Sequence, residues 1–137
     1  MNPMTAPPVV RLFVPCLGVQ CDTGVRPNRY TLDGPFYALL PPASGYPFLA
    51  DELWLFCQLS DATGTHALEL ELSFDLGARV RSLRTFNVFM GSDKLAVRHY
   101  AVPIRRVPFR RSGVYEFVLR AGAAELARAA FRLEDVP

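Results

Sequence analysis

The sequence predicts an all-β fold, an antiparallel β-sandwich of seven to eight strands, and three observations lead to this prediction. Apolar and polar residues alternate along most runs of the chain, which is typical of strands with one buried face. Glycine, proline, aspartate or serine bounds each run, as turns between strands require. The runs recur at intervals of roughly eight to twelve residues, the spacing of a sandwich. A length of 137 residues with 50% apolar content suits one domain with its own core.

Eight runs carry the pattern: 9–19, 30–40, 52–59, 68–76, 82–90, 95–104, 113–120 and 124–134. The clearest is 68–76, in which every even position is apolar and every odd position is polar. Its strand should therefore have one solvent-facing side. Residues 52–59 are instead apolar on both sides, so Trp54 and Phe56 need a cover. The turn formers at 60–65 predict that these two runs pair as an antiparallel hairpin.

The last run, 124–134, fits two periodicities. Apolar residues at 126, 129, 130 and 133 suit a helix, which alanine also favours. Apolar residues at 127, 129, 131 and 133 suit a strand. Because this run follows another strand directly, after the turn at 120–123, we predict a hairpin and a closing strand.

The sequence divides into a flexible N-terminal tail at 1–8 and a single domain at 9–137. The tail has no basic residue and no continuous apolar stretch, so we expect no secretory signal. No window approaches ~18 uncharged apolar residues, so we expect no membrane span. Cys16, Cys21 and Cys57 are an odd number, which favours free thiols in a reducing cytoplasm. Strand parity predicts that Cys16 and Cys57 point into the core.

The sequence holds no motif for nucleotide binding or for a hydrolase nucleophile. A nucleophilic set could combine Cys21 or Cys57 with His66 or His99, but any chain with these residues offers such combinations. The carboxylates at 69 and 71 are spaced as glycosidase acids are, yet a solvated strand face explains them better. We expect no catalytic residue and no cofactor. We also expect no metal site, because a closed structural site needs four convergent ligands.

The first candidate interaction surface is an aromatic loop at 35–49. It holds four aromatic residues and four prolines and no charge. A long uncharged loop on a small sandwich either covers the sheet, here as a lid over Trp54 and Phe56, or meets a partner. The candidate partner-binding residues of the loop are Phe36, Tyr37, Tyr46 and Phe48.

The second candidate surface is an arginine cluster at 105–111. Up to position 76 the chain has three arginines against eight carboxylates, whereas from 77 onward it has eleven arginines and one lysine against five carboxylates. Arginine forks match phosphate and carboxylate geometry, so this cluster predicts an anionic contact. The candidate residues are Arg105, Arg106, Arg110 and Arg111.

The segment 112–119 contains Gly113-x-Tyr115-x-Phe117, which resembles the start of a late strand in immunoglobulin-like sandwiches. In that fold the tyrosine packs at a corner and bonds the nearby backbone, so Tyr115 is expected in this role and the sandwich is expected to be immunoglobulin-like. The early strand at 9–16, the segment 30–36 and the run 53–56 complete a resemblance to a family of small bacterial β-sandwich domains of unknown function. It covers roughly 9–133 and implies a fold but no catalytic residue.

These observations favour a non-catalytic interaction or assembly module that binds a protein partner or its own copies as a homo-oligomer. Tyrosine, phenylalanine and arginine are the residues expected at such contacts. The alternative is a module that binds an anionic ligand, a nucleic acid or glycan, through the arginine cluster. The pI of about 8.6 lies below the level typical of a dedicated nucleic-acid module. An enzyme without a recognised motif is the third hypothesis.

Overall fold

A computed structural model describes residues 6–74, 77 and 79–135 of the chain. Within these residues the fold is all-β, with ten strands and no helix. The strands are β1 (Val9–Cys16), β2 (Gly18–Asp22), β3 (Arg29–Asp33), β4 (Ala38–Leu39), β5 (Phe48–Ser60), β6 (Thr65–Phe74), β7 (Arg79–Phe89), β8 (Arg98–Phe109), β9 (Gly113–Ala121) and β10 (Ala124–Leu133).

Eight of these strands form two sheets. The three-stranded sheet has the order β1-β5-β8 and is antiparallel throughout. The five-stranded sheet has the order β4-β10-β9-β6-β7; β4 runs parallel to β10, and the other neighbours are antiparallel. The remaining strands, β2 and β3, pair with each other as a separate antiparallel hairpin.

The two sheets enclose a shared apolar core. Leu55 of β5 and Leu72 of β6 are both buried in it, as is Phe117 of β9. Tyr115 packs edge-on against Phe109 with ring centroids 5.1 Å apart, which joins β9 to β8 across the core. The alternation that predicted strands at 68–76 and 113–120 thus also identifies their buried faces correctly.

The prediction of seven to eight strands is low because two of the eight runs are each split in two. The run 9–19 divides into β1 and β2, and the run 30–40 divides into β3 and β4. The second break occurs at Gly34, whose φ of +56° is accessible to glycine at little cost. A side chain there would also lie 2.9 Å from Cδ1 of Leu17, so the bend needs glycine for two reasons.

The predicted hairpin between 52–59 and 68–76 is wrong. β5 and β6 lie in different sheets, because β1 and β8 already occupy both edges of β5. The connection therefore crosses from one sheet to the other. It is held there by Asp61 N–H donating to the Lys94 carbonyl at 3.0 Å and by Gly64 N–H donating to the Gly91 carbonyl at 2.8 Å.

The predicted solvent-facing side of β6 is only partly exposed. Glu71 is 9% exposed and Ser73 is 3% exposed, although both occupy polar positions of the alternation. β6 lies between β7 and β9, so side chains from both neighbours cover its outer face. Arg120 of β9 lies across this face, with its Nε 2.6 Å from Oε1 of Glu71.

The β2–β3 hairpin covers Phe56, so for this residue the first of the two alternatives for the aromatic loop, a lid, is wrong. The Tyr30 ring of β3 lies 5.1 Å from the Phe56 ring and 4.9 Å from the His99 ring, measured between centroids. Phe56 is consequently buried on the outer face of its sheet, while Trp54 remains half-buried.

The closing strand is confirmed, because 124–133 forms β10 and pairs with β9. The turn between them includes Gly122, with a φ of +58°. Cys16 and Cys57 are buried, as predicted from strand parity. Of the expected tail, residues 1–5 lie outside the described residues. No helix in the described part of the chain is long and apolar enough to cross a bilayer.

Candidate functional site

A cleft opens on one side of the sandwich, where each sheet ends. β7 is the last strand of the five-stranded sheet and β8 is the last strand of the three-stranded sheet. The two strands face each other across the gap between the sheets. Arg84 of β7 bridges this gap, since its Nη1 donates to the Pro103 carbonyl of β8 at 2.7 Å.

Two cavities follow one another along this gap, which we call the arginine cleft. The larger has a volume of about 650 Å³ and the smaller about 380 Å³. The larger is lined by Leu72, Phe74, Val80, Arg81, Pro108, Arg110, Arg111 and Tyr115. The smaller is lined by Leu83, Arg84, Pro103, Ile104 and Arg105. Five arginines and no carboxylate stand among the described lining residues.

Phe74 and Tyr115 hold the turn that carries Arg110 and Arg111 in place. The guanidinium carbon of Arg111 lies 4.6 Å from the centroid of the Phe74 ring, a cation–π contact. The Tyr115 hydroxyl donates to the Arg111 carbonyl at 2.7 Å, which confirms the backbone contact predicted for this tyrosine. Burial raises the pKa of the Tyr115 hydroxyl, so it stays protonated and able to donate.

Arg105 and Arg106 interrupt the alternation of β8. Both side chains are exposed, while the flanking residues Ile104 and Val107 are buried. Arg106 has a φ of +57°, a left-handed conformation that allows two consecutive side chains to face outward. Of this pair only Arg105 lines the cleft, and its Nε lies 3.3 Å from Oε1 of Glu52.

In the part of the chain that the structure describes, most arginines of the cleft have no carboxylate close by. Among the described residues, only Arg105 of the five has a carboxylate oxygen within 4 Å. On the outer face of the five-stranded sheet, by contrast, Arg120 and Arg128 both pair with glutamates. The cleft is therefore a region of concentrated positive charge beside an apolar floor, which attracts anionic groups.

None of the four candidate residues of the aromatic loop is among the described lining residues of the arginine cleft. Three of them pack inside: Phe36 against Phe131 with centroids 5.6 Å apart, and Phe48 against Phe109 at 5.5 Å. The Tyr46 hydroxyl donates to the Glu134 carbonyl at 2.7 Å. Tyr37, 83% exposed, precedes β4, which lies at the opposite edge of the sheet from β7.

The site predicted from the sequence does not include Arg81 and Arg84, although both line the cleft. Their available signal was the group of three arginines within residues 79–84. The predicted site also omits the apolar floor, to which Leu72, Phe74 and Pro108 contribute.

The cysteines and histidines form no nucleophilic set among the described residues. Cys57 is buried, and this burial raises the pKa of its thiol to about 12. His66 hydrogen-bonds the Thr63 carbonyl at 2.8 Å, and His99 hydrogen-bonds the Gln58 side chain at 3.1 Å. In the part of the chain that the structure describes, no three metal-ligating side chains group together.

Thiol labelling should separate the three cysteines. With a pKa of about 12, only about one part in ten thousand of Cys57 is thiolate at pH 8. Cys16 is buried too, and burial raises its pKa, whereas Cys21 is exposed. We expect intact-mass analysis to show one label on the folded protein and three in denaturant. Labelling of Cys57 at the rate of Cys21 would contradict its burial.

A scan against models of protein families gives no match, and a search among curated proteins gives none either. Among solved structures, the chain is similar to the Pseudomonas fluorescens alkylpurine DNA glycosylase AlkC bound to DNA containing an abasic site analog. The TM-score is 0.42 and the identity 17%, over 72% of this chain and 28% of the glycosylase chain. At these values the likeness carries no argument about fold or function.

Proposed function

We propose that this protein is a non-catalytic interaction module that binds an anionic segment of a protein partner through the arginine cleft. One observation carries this proposal: Arg81, Arg110 and Arg111 surround an apolar floor in a cavity of about 650 Å³. Arg84 and Arg105 extend the positive lining along the same two strands.

The chemistry of the cleft suits carboxylates attached to apolar groups. Guanidinium forks pair with carboxylates in two-point geometry, and they are more weakly hydrated than ammonium groups. The apolar floor, to which Leu72, Phe74 and Pro108 contribute, adds contacts with aliphatic groups. A buried apolar centre with a polar rim is the usual anatomy of a protein–protein contact.

A nucleic acid or an anionic glycan is the alternative ligand. The apolar floor of the arginine cleft favours it less than an acidic protein segment. Single-stranded nucleic acids are usually bound by stacking of bases on open aromatic faces. Phe74 lines the larger cavity, but its ring is not open for base stacking because the Arg111 guanidinium already lies over it. Phosphate groups would still find the arginines, so these ligands are included as probes below.

A homo-oligomer, the other partner expected from the sequence, would need a different surface. Two copies of the arginine cleft would repel each other in a symmetric contact, because the same positive charges would meet. Tyr37 and Leu40, 83% and 73% exposed, flank β4 at the other edge of the sheet. Together with Leu49, which is 48% exposed, they are the exposed large apolar residues of the aromatic loop and are open to such a contact.

We further propose that the domain is an immunoglobulin-like sandwich related to the small bacterial domains that its sequence resembles. The orders β1-β5-β8 and β10-β9-β6-β7 correspond to strands A, B and E facing G, F, C and C′ of that fold. The Tyr115 corner bond supports the same assignment. We propose a cytoplasmic location on the strength of its three free cysteines.

The proposal is tested with a fluorescent poly-glutamate peptide of about 20 residues. Changing Arg81, Arg110 and Arg111 together to serine should weaken its binding about tenfold, since each exposed charge pair contributes about 0.5 kcal/mol and the three together about 1.5 kcal/mol. The affinity of the unchanged protein should also fall with added salt. Fluorescence anisotropy gives both measurements, and thermal melting checks that the variant is folded.

The matched control removes three exposed arginines elsewhere, Arg26, Arg29 and Arg132. This control has the same net charge as the cleft variant and should retain most of the affinity. Equal losses in the two variants would show that net charge alone attracts the probe, and the proposal would fail. Heparin and a single-stranded oligonucleotide are titrated in parallel.

A further inference from the structure

Resting on the cleft proposed above, we infer that its occupant is an extended acidic strand that adds to the free edge of β7. β7 spans Arg79–Phe89 and, among the strands of the described residues, pairs with β6 alone, at the end of the five-stranded sheet. An end strand of this length presents unpaired backbone groups, which an extended peptide can complete by strand addition.

The direction of these backbone groups follows from Phe89. Its N–H donates to the Tyr100 hydroxyl of β8 at 2.8 Å, and the same hydroxyl donates to the Phe89 carbonyl at 2.8 Å. Both polar groups of Phe89 therefore face away from β6, toward the open side. Alternation along an antiparallel strand places the N–H and C=O of Asn87 and Thr85 on that side too. Both residues are exposed.

The side chains of β7 determine which peptide fits. The ladder between β6 and β7 has a register shift beside Leu70, so that Arg84 lies opposite Leu70 and Arg81 lies opposite Leu72. The shift places both arginines on the inner side of the sheet although they are three positions apart. A regular strand added beside β7 would place residues i and i+2 next to these two arginines. Acidic residues at alternate positions therefore complement this edge.

The same charges argue against a second copy of the chain as the occupant. Self-pairing of two β7 edges would bring Arg81 and Arg84 of one copy against those of the other, which is unfavourable. An acidic strand gains the backbone bonds together with the charge pairing. The residue between the two acidic ones adds little, because it would face outward beside Ser82.

The test uses capped peptides that alternate glutamate and valine, and isomers in which the glutamates are contiguous. Two further peptides carry N-methyl groups on alternate residues, which removes the backbone N–H donors along one edge of the peptide strand. The two patterns block opposite edges. The alternating peptide should bind about tenfold tighter than its contiguous isomer, and one N-methyl pattern should abolish this gain while the other preserves it. Fluorescence anisotropy measures the affinity of each peptide for the unchanged protein and for the variant with serine at 81, 110 and 111.

A protein variant tests the same edge. Asn87→Pro removes the N–H that faces the open side, whereas Asn87→Ala keeps it. The proline variant should lose the gain of the alternating peptide, and the alanine variant should retain it, with thermal melting to check that both are folded. If the proline variant does not fold, the two N-methyl patterns still decide the question.

The outcomes separate this inference from the proposed function. Equal binding of all the acidic peptides, still weakened by the cleft variant, overturns strand addition and leaves anionic binding at the cleft intact. Tighter binding of heparin or the oligonucleotide than of any peptide, again dependent on the cleft arginines, overturns the acidic-strand inference in favour of those ligands. Absence of any effect of the cleft variant on any probe overturns both.

Discussion

Replacing Tyr115 by alanine is expected to lower the free energy of unfolding by about 3 to 5 kcal/mol. The side chain is 3% exposed, and its ring packs against Phe109 and Phe131 with centroids 5.1 and 5.8 Å away. Its removal leaves a cavity where the two sheets meet and also deletes the bond to the Arg111 carbonyl. Guanidinium denaturation gives the change in unfolding free energy from the shift in the midpoint.

Tyr115→Phe separates the two contributions. It keeps the buried ring and removes only the hydroxyl, so the expected loss is about 1 kcal/mol. Because the lost bond also positions the turn with Arg110 and Arg111, this variant should weaken poly-glutamate binding more than its small loss of stability explains. An unchanged denaturation midpoint for the alanine variant would show that the ring does not hold the corner.

The alternation of apolar and polar residues predicts some features of this fold and not others. Alternation identifies the buried face of a strand, which is a local property, and the faces of β6 and β9 followed from it. It does not identify the neighbour with which a strand pairs. The turn formers at 60–65 therefore suggested a hairpin that does not exist, while the turn at Gly122 joins two strands that do pair. Both segments place a glycine between two apolar runs, so this feature does not tell them apart.

The apolar residues on both faces of 52–59 predict a central, doubly covered strand rather than one strand of a simple hairpin. A strand apolar on both faces must be covered on both faces, and β5 is in fact central in its sheet with the β2–β3 hairpin over its outer side. The sequence showed that Phe56 needed a cover. It did not show which segment supplies it, because Tyr30 and the aromatic loop satisfied the same requirement.

In the candidate site, too, some residues could be predicted from local sequence and others only from the topology. Arg105, Arg110 and Arg111 are neighbours in sequence, so composition alone indicated a positive region. Arg81 and Arg84 join them only because β7 and β8 end their sheets on the same side, which is a property of the whole topology. The proline and aromatic content of the loop at 35–49 does not distinguish packing on the chain's own core from packing on a partner.

The outer face of β6 provides the second large expected effect. Arg120→Leu should destabilise the protein by about 3 kcal/mol, because it leaves the buried Glu71, whose side chain is 11% exposed, without its arginine partner. The pair is close, with Arg120 Nε 2.6 Å from Glu71 Oε1, and it lies between two neighbouring strands. Denaturation at neutral pH measures this loss. Arg105→Leu is the matched control, because the Arg105–Glu52 pair is exposed and should contribute less than about 1 kcal/mol.

The double variant Glu71→Leu with Arg120→Leu decides why the single change is costly. A buried ion pair often contributes little over well-packed apolar residues, whereas one buried charge left alone is strongly unfavourable. The double variant should therefore recover most of the stability that Arg120→Leu loses. If both variants are equally unstable, the cost lies in the packing of the arginine stem across the sheet rather than in the isolated carboxylate. The burial of Glu71 would then follow from the sheet's geometry, and the ion pair would be its consequence.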